Sequence, residues 1–141
     1  VTQIIPLPAS KAQPPPPTLV LVDDDPALLH ALTFAFETQG YVVRAYSDAE
    51  SLLADPWRPE GRTCCVFDQK LPGRTGLSLI KELRARDVVA PAILITSNPN
   101  AAVREQAALA GVPIVEKPLL GQVLEEKVSA ALAGAGTDAS S

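Results

Sequence analysis

Five short apolar runs, each followed by a stretch with helical spacing, leave this chain few ways to fold. The first run, Leu19 to Val22, is apolar at every position, as in a strand buried on both faces. Pro26 to Gln39 follows with Leu28, Leu29, Leu32 and Phe36 at helical intervals, and Gly40 is the expected stop. The β-rich Tyr41 to Tyr46 precedes a short amphipathic helix over Asp48 to Ala54, with Ser47 as its expected cap. Thr63 to Phe67 reads as the third strand. Thr75 to Arg86 reads as the third helix, apolar at Leu77, Leu79, Ile80 and Leu83. Ala92 to Thr96 and Asn100 to Ala110 form the fourth unit; Ile114 to Glu116 and Leu119 to Leu132 form the fifth. Repeated βα units imply right-handed crossovers and a parallel sheet with helices on both faces.

The rest of the 141 residues falls at the two ends. Residues 1–17 carry Pro6, Pro8 and the run Pro14 to Pro17 without helical or strand period, which favours an extended polyproline conformation. They read as a leader or spacer, with a docking peptide for a proline-reading module as the second reading. Residues 18–133 form the expected domain, and the small, polar residues 134–141 a tail. Hydrophobic residues at 47% supply a core, which excludes wholesale disorder. A net charge of -4 argues against nucleic-acid binding through general electrostatics. No apolar run approaches the roughly 18 residues of a membrane span, and the first residues given lack the basic stretch plus apolar core expected of a secretory signal. Cys64 and Cys65 are neighbours on a strand, so they point to opposite faces and read as packing residues in a reducing cytoplasm. With no methionine even at position 1, a processed or trimmed chain is expected.

On such a sheet, ligands bind at the carboxyl ends of the strands, near the point where strand order reverses. The first strand ends in Asp23, Asp24 and Asp25, the third in Asp68, the fourth in Thr96 and Ser97, and the fifth in Glu116 and Lys117. Asp23, Asp24 and Asp68 bring three negative charges to one cleft, and Lys117 cancels one. The remaining repulsion favours a raised carboxylate pKa or a bound cation. Oxygen ligands suit Mg²⁺, which would neutralise the other two charges and bridge to a phosphoryl group. Thr96 and Lys117 would then hold phosphoryl oxygens. Asp25 stands before Pro26, a favoured first helical residue, and reads as a helix cap rather than a metal ligand.

Four segments now carry a pattern: Leu19-Val-Leu-Val-Asp-Asp-Asp-Pro26, Val66-Phe-Asp-Gln-Lys-Leu-Pro-Gly73, Ile95-Thr-Ser97 and Val115-Glu-Lys-Pro118. Together they resemble the receiver domain of two-component response regulators, over about residues 18–133. The resemblance implies an α/β, flavodoxin-like (βα)5 doubly wound sheet of order 2-1-3-4-5. It implies that Asp68 accepts a phosphoryl group from a histidine kinase or phosphotransfer protein. It further implies Mg²⁺ on Asp23, Asp24, Asp68 and the backbone carbonyl of Lys70, with Thr96 as the switch hydroxyl and Lys117 as the site lysine. The Lys117-Pro118 peptide is often cis in such domains. A downstream protein partner, and a homodimer through the face of the fourth helix, fifth strand and fifth helix, are further implications.

Two residues depart from the pattern. Ile114 stands where receivers usually carry an aromatic switch residue, which points to signalling through backbone and helix shifts. Pro113 stiffens the same segment. Lys70 puts a cation beside the site, which either attracts phosphate or hinders the attacking water, or is simply solvated. Both departures motivate a rival reading, an interaction module that phosphate does not switch. A third reading, a Mg²⁺-dependent phosphohydrolase, is disfavoured by Lys70, because haloacid-dehalogenase-type phosphatases carry a second Asp there. Pro72 to Gly76 reads as a turn, His30 as an exposed helix residue, Trp57 as a packing anchor, and Glu125-Glu126 as a solvated helix face.

Overall fold

The computed structural model describes residues 15–140. Most of the proline-rich leader, residues 1–14, therefore lies outside the described residues. Five strands form one parallel sheet: β1 (Thr18–Val22), β2 (Val42–Tyr46), β3 (Thr63–Asp68), β4 (Ala92–Thr96) and β5 (Ile114–Glu116). Their order is β2-β1-β3-β4-β5, as the resemblance implies. The helices are α1 (Pro26–Thr38), α2 (Ala49–Ala54), α3 (Gly76–Ala85), α4 (Ala101–Leu109) and α5 (Val123–Ser140).

Alternation along the strands builds two cores. Leu19, Leu21, Cys64, Val66, Ile93 and Ile95 face one way, onto Leu32 and Phe36 of α1 and Leu124, Val128 and Leu132 of α5. Val20, Val22, Cys65, Phe67 and Leu94 face the other way, onto α2, α3 and α4. The two cysteines thus lie on opposite faces, both buried and free. Burial pushes the Cys64 thiol up to about 12 and Cys65 higher still, which suits packing rather than redox chemistry. Trp57 packs against the second core, as an anchor should.

Several boundaries differ from the sequence reading. Asp48, not Ser47, caps α2, its side chain accepting from the Ser51 N–H at 2.7 Å. Thr75 and Asn100 are caps rather than first helical residues, accepting from the Ser78 and Val103 N–H groups. Each is a short polar side chain that competes for backbone donors, which favours the cap over the helix interior. The last helix begins at Val123, not Leu119, because Gly121 adopts φ 63, outside the right-handed helical region. It then continues to Ser140, across most of the stretch read as a tail. Pro72 and Gly73 form the tip of a small antiparallel hairpin, Lys70–Leu71 against Arg74–Thr75, which is a turn and not a phosphate loop.

Candidate functional site

Strand register alone gathers the site. Val22 pairs with Phe67, so Asp23 follows beside Asp68 on the neighbouring strand. Asp68 pairs with Ile95, which sets Thr96 one step further along β4. Thr96 pairs with Glu116, and the next residue, Lys117, donates its N–H to the Thr96 carbonyl at 2.9 Å. Four side chains far apart in sequence therefore meet on one rim because neighbouring parallel strands lie only about 4.8 Å apart.

The Lys117 ammonium sits between two carboxylates, 3.1 Å from Asp23 Oδ2 and 3.3 Å from Asp68 Oδ2. Asp23 is buried, at 1% exposure, and its Oδ1 accepts the Asp25 N–H at 2.8 Å. Its Oδ2 has the nearby ammonium but no aligned hydrogen-bond donor. Asp68 is also buried, and its Oδ1 accepts the Lys70 N–H at 3.4 Å. Burial, and then the charge of Asp23, raise the Asp68 carboxyl above the usual carboxylate range, while Lys117 opposes the rise. For Lys117, burial by itself would lower the pKa; the two carboxylates outweigh burial and raise it. The Lys117-Pro118 peptide is cis, as in the implied pattern.

One carboxylate oxygen from each of Asp23, Asp24 and Asp68 lies within 4.8 Å of the others. Asp24 is exposed at the mouth of this group. The set fits Mg²⁺, because three hard oxygen donors converge and one of them, Asp23 Oδ2, is buried short of an aligned donor. Asp25 is turned away to cap α1, its Oδ1 accepting from Ala27 N–H at 3.0 Å and Leu28 N–H at 3.3 Å. Thr96 is buried at the end of β4, and its hydroxyl donates to the Ser97 carbonyl at 3.4 Å. Lys70 is exposed at the start of the small hairpin. Ile114 is half-buried on β5 against the core face of α2, α3 and α4. His30 is exposed on α1, away from this constellation, as its sequence context suggests.

Two residues escaped the sequence reading. Gln69 is buried, and its side-chain oxygen accepts the Leu77 N–H at 3.0 Å, fixing the start of α3 beside Asp68. Gly76 donates its N–H to the Gln69 carbonyl at 2.9 Å, and a Cβ there would lie 2.5 Å from the Asp68 carbonyl oxygen. Only a residue without a side chain allows this approach. The signal was present as a glycine directly after a cap-type threonine, Thr75-Gly76, where a turn alone would not demand one.

A family model described as the response regulator receiver domain matches residues 19–129. The chain belongs to this family. As a receiver domain it is 33% identical over 113 residues to the transcriptional regulatory protein FixJ of Azorhizobium caulinodans, covering 79% of this chain and 53% of that protein. It is 34% identical over 115 residues to the two-component response regulator PhoP of Pseudomonas aeruginosa, covering 81% of this chain and 51% of that protein. The receiver thus spans about half the length of the curated relatives it matches. The crystal structure of FixJ-N superposes with a TM-score of 0.71 at 28% identity, over 82% of this chain and 93% of that one. A CheY-like receiver from Methanospirillum hungatei, at 24% identity and a TM-score of 0.79, covering 87% of this chain and 98% of that one, shares the fold. Signalling by phosphorylation-dependent switching is the standard role of such domains, and they typically bind Mg²⁺ at an acidic pocket. Among the described residues, no helix is long and apolar enough to cross a membrane.

Proposed function

We propose that Asp68 is the phosphoacceptor of this receiver and that Asp23, Asp24, Asp68 and the Lys70 backbone carbonyl hold Mg²⁺. The carrying observation is the Lys117 ammonium poised within 3.3 Å of both Asp23 and Asp68 on the rim where the third carboxylate also converges. The donor is a phosphohistidine of a sensor histidine kinase or phosphotransfer protein. A carboxylate oxygen of Asp68 attacks phosphorus; the new O–P bond forms as the P–N bond breaks. The electron pair stays on the imidazole nitrogen, which takes a proton from water. Bound Mg²⁺ supplies positive charge for the phosphoryl oxygens during transfer. Lys117 supplies a second positive charge, and the Thr96 hydroxyl turns from the Ser97 carbonyl to a phosphoryl oxygen.

That turn links chemistry to output. Thr96 ends β4, and its carbonyl holds Lys117 N–H, so a shift there reaches both β5 and the loop into α4. Arg104 of α4 pairs with Glu116 of β5 at 2.8 Å, and Arg84 of α3 donates to the Ala110 carbonyl at the end of α4. With Ile114 in place of an aromatic switch, the response runs through the backbone and these ties. The α4-β5-α5 face, with Leu109, Leu120 and Val123 exposed, is where a downstream protein or a second receiver binds. The setting is the cytoplasm, where histidine kinases present their phosphohistidine.

The test is incubation with Mg²⁺ and a small acyl-phosphate donor, followed by intact mass measurement. Wild type gains one phosphoryl group, whereas Asp68→Asn, or wild type in chelator, gains none. An unmodified wild-type protein would instead support a module whose binding face phosphate does not switch, the reading that Lys70 and Ile114 favour.

A further inference from the structure

The N–H groups of Gly76, Leu77 and Ser78 open α3 and have no acceptor within their own helix. The Thr75 hydroxyl accepts the Ser78 N–H at 3.1 Å. Gln69 takes the other two: its backbone carbonyl accepts the Gly76 N–H at 2.9 Å, and its side-chain oxygen accepts the Leu77 N–H at 3.0 Å. Gln69 and Leu77 are both buried, at 7% and 2% exposure, so losing the side-chain contact leaves a donor shut off from water. On its other side Gln69 donates its own N–H to the Ile95 carbonyl of β4 at 2.9 Å. One residue therefore ties the end of β3 both to β4 and to the first turn of α3.

That residue stands between two groups assigned to the ion. Asp68 precedes it and contributes a carboxylate oxygen to the converging set. Lys70 follows it, and its N–H is turned to Asp68 Oδ1 at 3.4 Å, so this peptide already lies beside the carboxylate. Lys70 is exposed and starts a hairpin whose strands are two residues each, too short to be rigid alone. Gln69 is its nearest fixed neighbour. Mg²⁺ demands near-ideal octahedral geometry at about 2.0–2.1 Å, whereas Ca²⁺ accepts a flexible shell at roughly 2.3–2.6 Å. A loosened ligand on this loop therefore costs Mg²⁺ more than Ca²⁺.

We infer that Gln69 is a positioning residue for Mg²⁺. Its side chain clips the loop after Asp68 onto α3 and so fixes the Lys70 backbone against Asp68 at the spacing the smaller ion requires. The inference rests on the ligand set proposed above and adds to it a residue that acts only through its neighbours. Groups that orient metal ligands are typically worth roughly 10–100-fold in metal affinity.

Gln69→Met tests this, because the side chain keeps its length, loses the acceptor oxygen, and leaves both backbone hydrogen bonds of residue 69 in place. Gln69→Asn, too short by one methylene to reach Leu77, is the second variant and gives the same shift. Ile80→Val is the control: it loosens the buried face of α3 through packing alone and leaves the Gln69 contacts intact. Mg²⁺ and Ca²⁺ are titrated separately into each ¹⁵N-labelled, unphosphorylated chain, and amide shifts give the two Kd values. In the Gln69 variants the Kd for Mg²⁺ rises about tenfold and that for Ca²⁺ rises less, whereas in Ile80→Val both stay at wild-type values. A Kd for Mg²⁺ within about threefold of wild type in the Gln69 variants overturns the inference. So does an equal loss for both ions, or a matching loss in Ile80→Val, because loosened packing would then explain the effect. A wild-type chain that binds no Mg²⁺ at all overturns the proposed ligand set itself, a result read from wild type alone and so distinct from failure of the variants.

Discussion

Replacing Gly76 by alanine tests how tightly α3 is set against the phosphoacceptor strand. The new Cβ would lie 2.5 Å from the Asp68 carbonyl oxygen and 2.8 Å from Leu94 Cδ1. Leu94 can change rotamer. The Asp68 carbonyl belongs to the backbone of the central, fully buried strand β3 and cannot give way locally. The start of α3 must move instead, which strains the Gly76–Gln69 and Leu77–Gln69 hydrogen bonds. Forcing an extra methyl into such packing costs about 1–3 kcal/mol. The higher helix propensity of alanine returns at most about 1 kcal/mol, and less in a first turn. The net loss is about 1–2 kcal/mol, which lowers a urea midpoint by roughly 1 M for an m-value of 1–3 kcal/mol/M. Phosphorylation at Asp68 slows in parallel, because the strand end carrying the carboxylate shifts. Gly134→Ala is the matched control: it lies within α5 with nothing within 4 Å of the added Cβ, so it gains up to about 1 kcal/mol. A Gly76→Ala midpoint equal to or above wild type would refute the reasoning.

Charge at the site gives further expectations. Asp68 has a raised pKa in the fold, so its ionisation costs stability; its favourable contribution is present below the ordinary carboxylate range and is lost as pH rises through the raised value. In Mg²⁺-free buffer, Asp68→Asn therefore gains in Tm relative to wild type as pH rises across that window, and a difference that stays flat or falls contradicts this. Lys117→Met leaves the buried Asp23 carboxylate without its cation, so stability falls by up to about 3 kcal/mol without Mg²⁺, and saturating Mg²⁺ restores part of it. Urea melts with and without the ion measure both effects; a Lys117→Met midpoint equal to wild type in chelator would contradict them.

The sequence carried the sheet and the rim because both are written in local pattern. Short apolar runs such as Leu19 to Val22, alternating with helical stretches, read as strands between two layers, and the residues directly after them stand at the strand ends. Asp25 before Pro26 announced its cap for the same local reason. Cap positions slipped where two adjacent polar residues compete: Ser47 and Asp48 both suit the role, and only the backbone path chooses Asp48. The late start of α5 was hidden because Leu119 and Leu120 continue an apolar pattern that Gly121 interrupts. Gln69 and Gly76 were missed because their roles depend on each other across the loop, and no spacing rule encodes a close approach between a helix start and a strand carbonyl. The Arg84–Ala110 tie and the Arg104–Glu116 pair have the same character, since both join separate elements.

The central claim concerns which carboxylate carries the phosphoryl group. Borohydride reduction of the phosphorylated protein converts an aspartyl phosphate to homoserine, and peptide mass mapping then locates it. The account predicts homoserine at position 68 and an intact aspartate at positions 23 and 24. Homoserine at either of those two positions, or none anywhere in a protein that has gained phosphate, would contradict it.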